Sequence, residues 1–131
     1  MHFVWTTKNR EPLVTSVIER RVYAIVEKIF RDNGCPLLAI NGMPDHVHVL
    51  TVLSTTITIA DLIGRAKGGS SRIIGEEVTP DSWFAWQPNY GAFSVSASHV
   101  KRVVGYIANQ KVHHTAGTVW EEAEETDEPD E

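Results

Sequence analysis

The chain has 131 residues, of which 42% are hydrophobic and 22% charged, a composition that suits one globular domain rather than a disordered or membrane chain. No apolar run approaches the roughly 18 residues of a membrane span, and the opening MHFVWTTKNRE has no basic-then-apolar leader, so no membrane partner and a cytoplasmic setting are expected. The single cysteine, Cys35, excludes a disulfide framework and a cysteine-built zinc site.

The net charge of −5 is unevenly spread. The last eleven residues, EEAEETDEPDE, hold eight of the seventeen acidic groups and no base. Residues 1–120 therefore carry nine acids against twelve Lys and Arg, and form the expected folded domain. Residues 121–131 read as an acidic, disordered tail. A mildly basic domain permits a nucleic-acid partner without demanding one.

Taken in chain order, His2 to Thr7 is rich in β-branched and aromatic residues and predicts a first strand, with Asn9 to Pro12 as its turn. Thr15 or Ser16 then caps a helix to about Asp32, whose apolar stripe is Val17, Ile18, Val22, Ile25, Val26 and Ile29. Asn33-Gly34 closes it. Pro36 to Ile40 predicts a second strand, Asn41-Gly42 with Pro44 a turn, and Asp45 to Leu53 a third strand. Thr58 with Asp61 resembles a capping box for a second helix, which Gly68-Gly69 weakens or bends before it resumes through Ile73 and Ile74. The end of WFAWQPNYGAFSVS predicts a fourth strand, and Ser96 or Ser98 caps a last helix to about His114. The order suggests an α+β, ferredoxin-like (RRM-like) antiparallel sheet with helices on one face, plus the C-terminal helix.

Two segments carry chemistry. Side chains two apart on a strand share a face, so in DHVHVLTVL His46 and His48 project together while Val47 and Val49 turn away. Two adjacent imidazoles are half of a divalent metal site, although histidines on a solvated sheet face are the commoner case. In the last helix, Val100, Val103, Val104 and Ile107 form a buried stripe, and Tyr106 and Gln110, four apart, share the flank beside it with His113. That pair reads either as a core-rim tyrosine with a surface amide, or as a nucleophile with a metal-ligating amide oxygen one turn on. A phenol with a pKa near 10 needs its proton removed or its target polarised. A divalent ion on two imidazoles and an amide oxygen keeps open positions for polarising a phosphate.

HVH within MPDHVHVL, then KGGSSR, WQPNYGAFSVS and YIANQKVHH, in this order, closely resemble the single-tyrosine HUH transposases of single-strand-mobilised bacterial insertion sequences and the related REP-associated tyrosine transposases, from His2 to about His114. The resemblance implies that His46, His48 and Gln110 are metal ligands for Mg2+ or Mn2+ and that Tyr106 is the catalytic nucleophile. It further implies a homodimer in a bacterial or archaeal cell, near the nucleoid. Such an enzyme cuts and rejoins single-stranded DNA beside a hairpin through a 5′-phosphotyrosine link and a free 3′-OH. Two nitrogen donors suit manganese better than magnesium. Relatives carry a further segment after the tyrosine helix, where this chain turns acidic after Trp120.

Lys67, Gly68, Ser70 and Arg72, with Gly69, mix charge, small residues and hydroxyls as phosphate contacts do, and equally as an exposed helix end does. Lys101 and Arg102 flank the proposed nucleophile and face DNA or solvent. Trp83, Trp86, Tyr90 and Phe93 offer base stacking, with core packing expected for at least half of them. Two other readings stay open: a catalytically idle hairpin-binding protein on the same fold, and an unrelated metal hydrolase using His46 and His48.

Overall fold

The computed structural model describes residues 1–112. His113, the expected helix end near His114, the 120/121 domain boundary and the acidic tail lie outside the described residues. Four strands, β1 (His2–Thr6), β2 (Leu37–Met43), β3 (His46–Thr51) and β4 (Gly91–Phe93), form one sheet in the order β2-β3-β1-β4 with every neighbour antiparallel. Helices α1 (Glu19–Asp32) and α2 (Ile59–Ile73) fall between the strand pairs, and α3 (Val100–Ala108) follows β4. This is the expected ferredoxin-like α+β layer.

Alternation in the two central strands divides the chemistry between two faces. Phe3 pairs with Val49 and Trp5 with Val47, and these residues pack with Val22, Val26 and Phe30 of α1 and with Leu62, Ile63 and Ala66 of α2. The rings of Trp5 and Phe30 lie parallel at 6.4 Å, and Trp86 stands edge-on to Trp5 at 5.8 Å. On the opposite face are His2, Val4 and Thr6 of β1, beside Leu50, His48 and His46 of β3. Helix α3 covers that second face, packing Val103, Tyr106 and Ile107 on Leu50. The histidine pair is therefore roofed by a helix rather than solvated.

Helix α1 starts at Glu19, later than Thr15 or Ser16, because the Thr15 carbonyl accepts turn bonds from the N–H groups of Ile18 and Glu19 without a side-chain cap. Val17 consequently leaves the apolar stripe and is 86% exposed. At the other end Gly34 takes φ +77°, and Cys35 N–H and Gly34 N–H donate to Phe30 O and Arg31 O, the paired bonds of a Schellman ending. Thr58 caps α2 as expected, its Oγ1 accepting from Asp61 N–H at 3.1 Å.

Three expectations are corrected. Asn41-Gly42 is not a turn: Asn41 pairs with His48 and Gly42 with Val47, and the turn is Pro44-Asp45. Gly42 is there because a Cβ would sit 2.1 Å from the His46 carbonyl oxygen. Gly68-Gly69 does not interrupt α2, which runs on to Ile73 and ends in a π-helical turn over Ile74–Val78. Helix α3 stops at Ala108, with Asn109 as its cap at φ −101°, ψ 21°, so Gln110 lies in a separate helical turn.

Candidate active site

His46 and His48 stand side by side on β3, their ring centroids 5.2 Å apart and nearly perpendicular. The Tyr106 ring meets the His48 ring edge-on at 5.7 Å. Gln110 reaches back from the turn after α3 to place Oε1 3.4 Å from His46 Nε2. All four side chains are buried, Tyr106 retaining 5% of its accessible surface. The alternative of a glutamine bonded at the surface is thereby set aside. Helix α3 makes this arrangement within a single chain, on its own sheet.

Each imidazole is held from behind. His46 Nδ1 donates to Asp45 Oδ1 at 2.7 Å, and that hydrogen bond, ahead of the Arg10 charge, holds the Asp45 carboxyl below the usual carboxylate range. Arg10 Nε anchors the other carboxylate oxygen at 3.1 Å. His48 Nδ1 lies 2.9 Å from His2 Nε2. Burial first, then the charges of His48 and the N-terminus, pushes His2 down to about 3, so His2 is neutral.

The end of α3 is tied to β2. Asn41 Nδ2 donates to the Ala108 carbonyl at 3.1 Å, and Lys111 Nζ donates to Asn41 Oδ1 at 3.1 Å and to Gly42 O at 2.5 Å. Lys111 also pairs with Glu19 at 3.0 Å. These bonds satisfy a carbonyl at the helix end and place the turn that carries Gln110.

Do these residues suit a divalent ion? Among the described residues no three His, Cys, Asp or Glu side chains converge on a metal position. A third donor beside the histidine pair would be the Gln110 amide oxygen. With its Nδ1 proton on Asp45, a neutral His46 presents a lone pair at Nε2. That lone pair faces the oxygen of Gln110, two acceptors converging at 3.4 Å. Gln110 Nε2 is buried without a hydrogen-bond partner. Acceptors that converge, each imidazole gripped through Nδ1, fit a cation better than they fit one another.

The residues nominated as DNA contacts do not gather here. Lys67, Gly68, Ser70 and Arg72 are on α2, across the sheet from the histidines. Lys67 Nζ donates to the carbonyls of Gln87 and Asn89, and burial lowers its pKa to about 8. Ser70 is corrected outright: it is fully buried, and its Oγ accepts from Trp86 Nε1 at 2.9 Å, so it offers no hydroxyl to a phosphate. Gly68 is exposed, and Arg72 is exposed and pairs with Glu76 at 3.4 Å. Lys101 and Arg102 are exposed on α3, on the site's side of the sheet. Of the aromatics, Trp86 and Phe93 are core, Tyr90 packs against it, and Trp83 is 54% exposed. Sequence reasoning missed His2, Asn41 and Lys111. For His2 the signal was present, because the alternation of β1 sets it opposite Phe3 and Trp5.

Comparison with known proteins assigns first the fold and then the family. The fold is shared with a protein assigned as a transposase from Deinococcus radiodurans R1 (TM-score 0.65, 29% identity, 83% of this chain and 88% of that one). It is shared too with a REP-associated tyrosine transposase solved bound to a REP hairpin (TM-score 0.62, 18% identity, 86% of this chain and 66% of that one). In sequence the chain is 26% identical over 114 residues to the ISDra2 transposase TnpA of Deinococcus radiodurans, covering 83% of this chain and 81% of the relative. Residues 1–110 match the family described as "Transposase IS200 like". The chain belongs to the IS200-like transposases.

Proposed function

We propose that the protein cuts and rejoins single-stranded DNA beside a hairpin, with Tyr106 as nucleophile and His46, His48 and Gln110 as ligands of Mn2+ or Mg2+. One observation carries this reading: the tyrosine ring and the amide oxygen converge from two different turns on the same buried histidine pair. When bound, the ion would polarise the scissile phosphate. Tyr106 loses its phenolic proton to solvent, and its oxygen forms a bond to phosphorus while the P–O3′ bond breaks. The departing 3′ oxygen takes up a proton, leaving a 5′-phosphotyrosine and a free 3′-OH. Rejoining reverses the same exchange, so it needs no ATP. Helix α3 holds the phenol rigidly over the sheet, which favours in-line attack.

Lys101 and Arg102, exposed on α3, are the basic residues of this reading that are suited to the backbone of the cut strand. Lys67, Gly68 and Arg72 lie across the sheet and would meet only DNA that wraps the domain. A two-fold homodimer is part of the proposal, with β2 at one edge of the sheet available for pairing.

The test uses a 3′-labelled single-stranded hairpin with manganese or magnesium, read on a denaturing gel, since a 5′-phosphotyrosine retains the 3′ fragment. Wild type should yield a protein–DNA adduct that maps to the peptide containing Tyr106. Tyr106→Phe, which removes one oxygen and little volume, should fold and bind DNA but form none. An adduct surviving in Tyr106→Phe overturns the assignment, and hairpin binding by wild type with no adduct under either metal points to an idle binder.

A further inference from the structure

His2 is fully buried on β1, directly across from Leu50 and on the face that carries His46 and His48. Its Nε2 lies 2.9 Å from His48 Nδ1, with the rings 5.2 Å apart and 30° from parallel. Phe93 closes its other side at 5.7 Å, and His2 Nδ1 has no hydrogen-bond partner. A hydrogen bond between two imidazole nitrogens holds one proton, so one ring donates and the other accepts.

Resting on the metal-ligand reading above, we propose that His2 is a positioning residue that fixes the tautomer and orientation of His48. A ring nitrogen binds a cation only through its lone pair, so a ligating Nε2 requires the His48 proton on Nδ1. That proton then points at His2 Nε2, which accepts, and the His2 proton is on Nδ1. The two ligand histidines thus have unlike supports. Asp45 steadies His46 with a charged carboxylate, and His2 steadies His48 with a neutral ring. A second carboxylate in this fully buried position, beside Phe93 and Leu50, would carry a desolvation cost. A neutral acceptor orients His48 without a buried charge.

The experiment compares wild type with His2→Leu, which keeps bulk and removes the acceptor, and His2→Gln, which restores an acceptor oxygen. Nitrogen-15 NMR of metal-free protein reads the His48 tautomer, and calorimetric titration reads manganese affinity. His48 should carry its proton on Nδ1 in wild type and on Nε2 in His2→Leu. Manganese affinity should fall about 10- to 100-fold in His2→Leu and recover at least partly in His2→Gln. Unaltered far-ultraviolet circular dichroism and unaltered hairpin binding without metal certify the fold. An Nε2-protonated His48 in folded wild type, or wild-type manganese affinity in His2→Leu, overturns the proposal. A His48→Ala control separates the two readings: if it binds manganese like wild type, the ligand assignment itself fails, whereas loss there with normal binding in His2→Leu rejects only the role of His2.

Discussion

The amide oxygen of Gln110 sits 3.4 Å from Nε2 of His46, although 64 residues separate them along the chain. This approach is not delivered by one continuous helix. Helix α3 ends at Ala108, and Asn41 and Lys111 hold the next turn against β2, so the approach depends on a strand residue outside the site.

Gln110→Ala removes the proposed third donor, an amide whose oxygen faces another acceptor and whose Nε2 has no hydrogen-bond partner. Manganese affinity should drop by roughly 10-fold or more, the scale that even outer-shell partners reach. Stability should change by no more than about 1 kcal/mol. Calorimetric titration and urea denaturation check the two numbers, and an unaltered affinity would remove Gln110 from the ligand set.

Gly42→Ala tests the register of β2 on β3. The added Cβ meets backbone on both counts, the His46 carbonyl oxygen at 2.1 Å and Val47 Cα at 2.9 Å, and neither can rotate away. The strands must part locally, so the loss should exceed about 3 kcal/mol, the upper end of ordinary overpacking. A urea midpoint equal to that of wild type would contradict the register.

Ser70→Ala tests whether this hydroxyl meets DNA. The substitution leaves Trp86 Nε1 buried without its acceptor, at a cost of about 1–3 kcal/mol. Hairpin affinity measured on folded protein should not move. A stable variant with weakened DNA binding would return Ser70 to the DNA interface.

Lys67 gives a pH dependence whose sign follows from burial. Its folded pKa of about 8 lies below the ordinary 10.5, so between these values the unfolded chain holds more protons than the folded one. Stability from this group therefore rises with pH across that window, an unfavourable contribution being relieved. Burial pushes the Tyr23 phenol up, which acts with the opposite sign above pH 10. The readout is accordingly the difference between wild type and Lys67→Met, which should narrow if wild type starts lower, or widen if it starts higher, always in the direction of wild type gaining. Parallel stability curves above pH 8 would show that the two carbonyls bonded to the ammonium offset its burial.

The sheet and the histidine pair were legible because alternation in HVHVLT has a period that only a strand supplies, and the Val103–Ile107 stripe fixed the buried side of the last helix. Other features depend on contacts distant in sequence. Asn-Gly reads as a hairpin turn by local preference, yet here Gly42 admits a carbonyl and Asn41 holds a helix end. Gly68-Gly69 costs α2 about 1 kcal/mol per glycine, which the packing of Ile63, Ala66 and Ser70 outweighs. A serine hydroxyl looks the same in sequence whether a phosphate or a buried indole is to meet it. His2 was read only as a strand former, since its partner is 46 residues away.

The arrangement of β3 constrains how such a protein loses its activity over time. Val47 and Val49 are core while His46 and His48 are site, so a deletion or insertion of one residue here ruins both together. A shift of this strand is therefore barred for as long as the domain is selected to fold, whereas point substitutions of His46 or His48 leave the two valines in place. In helix α3, Val103 and Ile107 are held by folding in the same way, through their packing on Leu50. A lineage retaining DNA binding but abandoning strand transfer should therefore change His46, His48, Tyr106 and Gln110 by substitution, with the valine alternation of β3 left behind.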